Sequence, residues 1–384
     1  MTARPKLAVL DANYYWTEQL FSACGDFADV LLLRPRDFRS FRREHGRLFV
    51  DLAPRPLGDA VWEQRICCPP GWLFHYWPAS RAVFGRLIRR FQGDGDLIFV
   101  FCYPYYRSLA RRLNAVSVYY NIDDYEGYWP GRELSTRREE LEAVADADLS
   151  VCVASRRAEY LRRQVPAKAE EIIHLPHGCS PTFMVDEPLA GAKPLPRSLG
   201  AARRPVAGYV GALDYRFDYR YLAGVAAAMP EVTFVLGGEE PRASGGTAEW
   251  WGGVERVRRL ANVRFIGRVP HERLGEHLQS FDVLLMAYSD CNFNRNCCPM
   301  KLWDYMGTSL PIVTNDVVPE VRQWRHVIRV ARDPAEFVAH IRASLTRPGW
   351  MSAERLEVAK SHTWRLQARK LRTALETRLP VNAR

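Results

Sequence analysis

Lys301 and Asp304 stand three residues apart in the run Cys298-Pro299-Met300-Lys301-Leu302-Trp303-Asp304-Tyr305. That spacing puts both on one face of a helix opening at Pro299, a residue suited to a first turn. A helix start offers free N–H groups and a partial positive charge, which together attract a diphosphate. Lys301 adds a compact ammonium there, in a chain whose 54 basic residues include only six lysines. The Asp304 carboxylate, on the same face, is placed to accept two vicinal hydroxyls such as those of a ribose. The same spacing also fits an ordinary amphipathic helix with an exposed Lys–Asp pair, and residue types alone leave both readings open.

A second constellation is Val118-Tyr119-Tyr120-Asn121-Ile122-Asp123-Asp124-Tyr125-Glu126. Two carboxylates follow an apolar run, so they fall at the end of a strand. A carboxylate so placed can take the proton of an attacking hydroxyl; a polar turn or helix cap is the competing reading. A third is the glycine loop Ala207-Gly208-Tyr209-Val210-Gly211-Ala212-Leu213-Asp214-Tyr215-Arg216. It lacks the third glycine of GxGxxG, which argues against a nicotinamide dinucleotide. Gly237-Gly238-Glu239 closes the next apolar run, where a sharp turn explains the glycines as well as a ligand does.

The elements that must carry these residues alternate. Apolar runs at 6–11, 29–33, 96–102, 116–122, 149–154 and 171–175 read as buried parallel strands. Helical patterns lie at 79–91, 105–113, 134–145 and 156–164. A Pro/Gly-rich stretch without apolar periodicity, 186–205, reads as a linker. A second series follows, with strands at 206–210, 232–236, 263–266, 283–286, 311–314 and 327–330 and helices between them, then a charged helical tail. The expected layout is an α/β chain of two Rossmann-like, doubly wound domains facing across a cleft: 1–185, linker 186–205, 206–352, and a tail 353–384 folding back on the first domain. Ligands of such sheets sit at the carboxyl ends of the strands.

Composition narrows the classes. The 384 residues are 47% hydrophobic and 26% charged, with a net charge of +10, which fits globular domains with an anionic partner. No helix-turn-helix, RNA-recognition or zinc-finger pattern is present, so nucleic acid is not expected. No apolar run reaches the ~20 residues of a membrane helix, and the first ten residues lack a signal-peptide pattern, so a cytoplasmic protein is expected. The nine cysteines show no CxxC or Cys/His spacing and read as reduced packing residues.

The run from Tyr288 through Asn296 and Lys301 to Val313 resembles the signature region of GT-B glycosyltransferases of family 4, especially bacterial polysaccharide-assembly members of the teichuronic-acid type. Its Met-Lys-Leu helix start is also similar to that of xanthan-type glucuronosyltransferases. The stretches 207–218, 262–270 and 282–288, the turn Leu175-Pro176-His177-Gly178-Cys179 and Ala145-Asp146-Ala147-Asp148-Leu149 resemble further stretches of the same family. The resemblance implies transfer of a sugar from a nucleotide-diphosphate sugar, by the family's habit a UDP-sugar, to a glycan, lipid-linked or small-molecule acceptor. It implies donor binding by Gly211, Arg216, Gly238, Arg268, Tyr288, Asn296, Met300, Lys301 and Asp304. It implies catalysis by Asp123 and Lys301, with Asp124, Tyr103 and Tyr105 on the acceptor side. No cofactor is expected, because Lys301 and the helix start supply the charge a metal would. Where the family often carries two glutamates eight residues apart, this chain has Asn296 and Asp304. An epimerase of the same fold and a non-catalytic nucleotide-sugar binder remain the alternatives. Finally, 71–77 is aromatic, and 79–91 is a basic helix with an apolar stripe of Phe84, Leu87, Ile88 and Phe91. It either docks on an anionic membrane surface, on the inner face, or packs on its own sheet.

Overall fold

The computed structural model describes residues 4–45, 53–113, 115–129, 131–200, 202–241 and 247–377. They fall into two compact units, Met1–His177 with Trp364–Arg384, and Gly178–Thr363.

Unit 1 is built on one sheet of eight strands: β1 (Lys6–Leu10), β2 (Asp29–Asp37), β3 (Arg55–Gly58), β4 (Val61–Cys68), β5 (Leu97–Phe101), β6 (Val116–Asn121), β7 (Leu149–Cys152) and β8 (Ile172–His174). The order is β3-β4-β2-β1-β5-β6-β7-β8, parallel throughout except for the edge pair β3–β4. The central strands are apolar on both faces, as a sheet covered on both sides requires; Leu97-Ile98-Phe99-Val100-Phe101 is buried end to end. β3 and β4 are absent from the sequence reading. β4 pairs with β2 over eight residues, yet its run Val-Trp-Glu-Gln-Arg-Ile-Cys-Cys carries charge at its centre. Glu63 is buried there because Arg34, Arg55 and Arg65 lie 3.1, 2.5 and 2.8 Å from it, so periodicity cannot reveal the strand.

Unit 2 has six parallel strands: β9 (Val206–Val210), β10 (Thr233–Gly237), β11 (Val263–Phe265), β12 (Val283–Met286), β13 (Ile312–Asn315) and β14 (Arg329–Ala331), ordered β11-β10-β9-β12-β13-β14. Order reverses beside β9, the point where a doubly wound sheet leaves a crevice at its strand ends.

The domain boundaries differ from those expected. Residues 186–200 and 202–205 are part of unit 2 rather than a free linker. Leu199 and Ala202 are buried in its core, Leu189 N–H donates to Ser309 Oγ at 2.8 Å, and Lys193 N–H donates to Gln279 O at 2.8 Å. Among the described residues the tail is two helices. Ser352–Lys360 stays in unit 2, where the fully buried Arg355 donates to Ser309 O and Val327 O at 2.9 Å. Trp364–Glu376 packs in unit 1 against the helix Tyr15–Ala23, with Arg365 on Asp26 at 2.6 Å. The stretch read as a helix over 105–113 is a short 3-10 turn, Pro104–Tyr106, followed by Arg107–Ala110. In the helix Trp77–Gln92, Phe84 and Ile88 are fully buried, so the apolar stripe packs inside unit 1. Among the described residues no helix is long and apolar enough to cross a membrane.

Candidate functional site

In unit 2 three adjacent strand ends are tied together by their backbones. Gly211 N–H, after β9, donates to Gly237 O, and Gly238 N–H, after β10, donates to Gly267 O, both at 2.8 Å. The chains approach so closely that a Cβ on Gly238 would lie 2.1 Å from Gly211 O. Gly211 is needed for a different contact. A Cβ there would lie 2.1 Å from Lys301 Cε and 2.3 Å from Nζ, so the lysine head rests directly on the Gly211 α-carbon. Lys301 belongs to the helix Met300–Gly307, whose start no side chain caps. Its Nζ also stands 5.1 Å from the centre of the Tyr209 ring, a cation–π distance.

The loop after Gly211 and the loop before Pro299 form one assembly. Arg216 O accepts from Ser289 N–H at 2.9 Å and from Asn294 Nδ2 at 2.8 Å. The Arg216 fork closes on Asp214, at 2.9, 3.1 and 2.6 Å, and its guanidinium stacks over Phe293. Burial would raise the Asp214 pKa, but the Arg216 hydrogen bond and charge, with Lys301 beside them, hold it below the usual carboxylate range. Lys301 has no such relief. Burial, with the Arg216 charge added, brings it down to about 8, against the opposing pull of Asp304 and Asp214. An anion placed beside this half-buried ammonium would stabilise its charged form beyond what Asp304 and Asp214 supply.

Asp304 is buried, and burial pushes its pKa up to about 7 although Lys301 and the Ser180 N–H favour the charged form. Since the folded state holds this proton up to about pH 7 and the unfolded chain releases it near 4, burying Asp304 costs nothing below about pH 4, progressively more between, and a constant amount above pH 7. Asp304→Asn is therefore expected to melt higher than the parent at pH 8 and level with it below about pH 4, while binding nucleotide less tightly. Calorimetric melting across pH measures the first effect, and a lower melting point at pH 8 would contradict it.

Other donor-side expectations fare differently. The Tyr288 side chain lies in the core of unit 2: it is buried, its hydroxyl donates to Met286 Sδ at 3.6 Å, and its backbone is clasped by the Asn315 amide at 3.0 and 2.7 Å. An apolar strand ending in tyrosine reads alike whether the ring turns inward or toward a ligand. Asn296 bonds back to Asn292 O and Oδ1 at 3.1 Å within the short helix Asn292–Asn296. Met300 is half-buried at the helix start, and Arg268 is exposed after Gly267. Among the described residues no three His, Cys, Asp or Glu side chains gather as ligands for one ion.

The tightness of the Gly211 contact makes a direct prediction. Gly211→Ala must push the Lys301 head aside and strain a backbone at φ 157°, so nucleotide affinity should fall by about tenfold or more, an energy of about 1.4 kcal/mol, with some loss of melting point from the strain. Fluorescence or calorimetric titration with UDP reads it, and unchanged affinity would separate Gly211 from the site.

In unit 1, Asp123 follows β6 and is buried, with Tyr128 donating its hydroxyl proton to Oδ2. Its neighbour Asp124 turns elsewhere. It accepts from Glu126 N–H in the following 3-10 turn and lies 3.4 Å from Arg157, which also holds the buried Glu140. That makes Asp124 part of an ion-pair network beneath the surface, not an acceptor-side group. Tyr105 is likewise structural, with its hydroxyl on Thr136 at 2.8 Å and its ring against Phe74 and Trp129. Tyr103 is buried, its hydroxyl 2.8 Å from that of Tyr14. The sequence reading missed Asp11, the first residue after β1. Its carboxylate accepts from Tyr106 at 2.7 Å and from Asn13. An aspartate closing a fully apolar strand, the signal used for Asp123, would have found it.

Residues 204–347, most of unit 2, match the family model described as Glycosyl transferases group 1. TuaH of Bacillus subtilis, named as a teichuronic acid biosynthesis glycosyltransferase, is 23% identical over 164 residues, covering 41% of this chain and only 40% of that relative. Among solved structures, sucrose-phosphate synthase from Thermosynechococcus elongatus is similar with a TM-score of 0.73 and 17% identity, over 97% of this chain and 99% of that one. HepE of Anabaena, solved in complex with UDP and glucose, is similar with a TM-score of 0.69 and 11% identity, over 98% and 100%. The shared architecture is the GT-B fold.

Proposed function

We propose, for a chain of GT-B fold whose residues 204–347 are a group 1 glycosyltransferase domain, that it moves a sugar from a UDP-sugar to a saccharide acceptor in polysaccharide assembly. The observation that carries the reading is the Lys301 ammonium, half-buried against the α-carbon of Gly211 at the start of an uncapped helix, with burial and the Arg216 charge outweighing the pull of Asp304 and Asp214. A nucleoside diphosphate supplies that charge, both as part of the donor and as the leaving group. As the glycosidic bond breaks, negative charge grows on the β-phosphate, and Lys301 with the helix N–H groups stabilises it. On this reading no metal is required. Asp304 meets the ribose hydroxyls, and Asp123 receives the proton of the acceptor hydroxyl. HepE, whose solved complex holds UDP and glucose, and TuaH, named for teichuronic acid biosynthesis, support the choice of UDP and of a polysaccharide role.

The acceptor is read as lipid-borne and presented at the cytoplasmic face of a membrane. Supporting this, Tyr76, just before the helix Trp77–Gln92, and Val83 within it are exposed by 54% and 49%, and Arg86, Arg89 and Arg90 of that helix are exposed as well. That mixture of basic and apolar groups suits anionic headgroups. Incubation of the full chain with a panel of UDP-sugars and a bacterial lipid extract, followed by mass spectrometry, tests the whole reading. Sugar added to a lipid or glycan is the expected result. UDP-sugar interconversion without acceptor, or binding with no product under any combination, would overturn it.

A further inference from the structure

Four neighbouring strands of unit 1 carry a row of polar side chains at their carboxyl ends. Arg36 lies near the end of β2, Asp11 follows β1, Tyr103 follows β5 and Asp123 follows β6. The row is linked. Tyr14 and Tyr103 share a hydroxyl hydrogen bond of 2.8 Å, and the charges of Asp11, Arg36 and Asp123 all act on Tyr14. Asp11 itself has a left-handed backbone, φ 72°, which L side chains other than asparagine and aspartate rarely adopt.

Asp11 is held differently from Glu63 and Glu140, and in the manner of Asp123, which accepts from the neutral Tyr128 hydroxyl. Glu63 is met by three arginines and Glu140 by Arg157. Asp11 is held by neutral donors, the Tyr106 hydroxyl at 2.7 Å and the Asn13 amide. Burial takes it up to about 6, although Tyr106, Asn13 and the Arg36 charge pull the other way. It is a carboxylate kept ionisable near neutrality with no ion pair of its own among the described residues. Around it Asn13, Tyr14, Arg36, Tyr128 and Trp129 are only half-buried, so the cluster opens outward through polar and aromatic groups together. Tyr14 is stacked on Trp16 with ring centres 4.8 Å apart, and Trp129 stands edge-on to Tyr103 at 5.6 Å. Carboxylates and amides that take hydroxyls, beside aromatic faces that cover C–H surface, are what a pyranose ring needs.

We propose that Asp11, with Tyr14 and Arg36, anchors the hydroxyls of a pyranose on unit 1 and decides which saccharide is accepted. The assignment of that saccharide as the acceptor rests on the glycosyltransferase reading; its binding does not. Arg36 adds a preference for a sugar bearing a carboxylate. The probes are methyl β-glucoside, methyl β-galactoside and methyl β-glucuronide, titrated into the full chain by calorimetry and saturation-transfer NMR. UDP affinity, which reports on unit 2, is measured alongside. At least one glycoside should bind, the glucuronide best. Asp11→Asn and the milder Tyr14→Phe should each weaken it tenfold or more, with UDP affinity within twofold of the parent. If none of the three binds the parent, or if Tyr14→Phe and Asp11→Asn bind as the parent does, the proposal fails. Loss of UDP binding by the parent with glycoside binding intact would instead sink the transferase reading and leave this site standing.

Discussion

Lys301→Met is expected to weaken UDP binding roughly 30- to 700-fold, about 2–4 kcal/mol, the usual loss when one partner of a buried charge pair is removed. Methionine keeps the length that lies across Gly211, so the change removes charge more than packing. Turnover should fall further than affinity, because charge builds on the diphosphate as the sugar departs. The parent's own pH dependence carries the same signature. With Lys301 brought down to about 8 by burial and Arg216, the free site loses its ammonium as pH rises through 8, and UDP affinity should fall there. Diphosphate restores the charge, so binding at pH 8 takes up about half a proton, measurable as a dependence of binding heat on buffer ionisation. The stability effect has the opposite sense. A lysine whose pKa is depressed by folding destabilises most below pH 8, where it is forced to stay charged, so Lys301→Met should melt no lower than the parent at pH 7. Weak binding together with undiminished melting is a pair of results that a merely structural lysine would not give.

Asp123→Asn is expected to leave UDP affinity within about twofold of the parent and to reduce transfer by about 10²- to 10⁴-fold, the range of a lost general base. The amide keeps the shape of the side chain and can still accept the Tyr128 hydroxyl, so folding is spared. It cannot take a proton from a sugar hydroxyl. Rates measured with the acceptor found in the lipid-extract experiment decide the matter. Full activity would remove Asp123 from the chemistry. A matched loss in Asp124→Asn is not expected to share this pattern: Asp124 is tied to Arg157 in a buried network with Glu140, so its loss should lower the melting point first.

What could be read from the sequence divides along a physical line. Parallel strands whose apolar runs are buried throughout, such as Leu97–Phe101 and Val206–Val210, are legible, because burial on both faces imposes its composition directly. β4 is not, since Glu63 is neutralised by arginines that arrive from β2, β3 and β4 itself, and such pairing is a long-range fact. Proline and glycine misled at 186–205: they mark irregular backbone, and irregular backbone can still bury Leu199 and Ala202. The contact of Lys301 with Gly211 joins residues ninety positions apart, and their separate signals, a glycine after a strand and a lysine at a helix start, predicted the pair without the distance. Asp123 and Asp124 share one signal in the residue types; the resemblance gives them different roles, and the position of Arg157 ties Asp124 into an ion-pair network. Asp11 carried that same signal and was passed over, because a single carboxylate after a strand is less conspicuous than a doublet.

The claim on which the rest depends is that Lys301 and the loop ending at Gly211 hold a diphosphate. Titration calorimetry of UDP and of uridine, each into the parent and into Lys301→Met at pH 7, tests it most directly. The parent should bind UDP at least about a hundredfold more tightly than uridine, about 2.7 kcal/mol, and most of that preference should vanish in Lys301→Met while uridine affinity stays put. If the parent binds UDP and uridine alike, or if the preference survives the substitution, the diphosphate does not sit on Lys301.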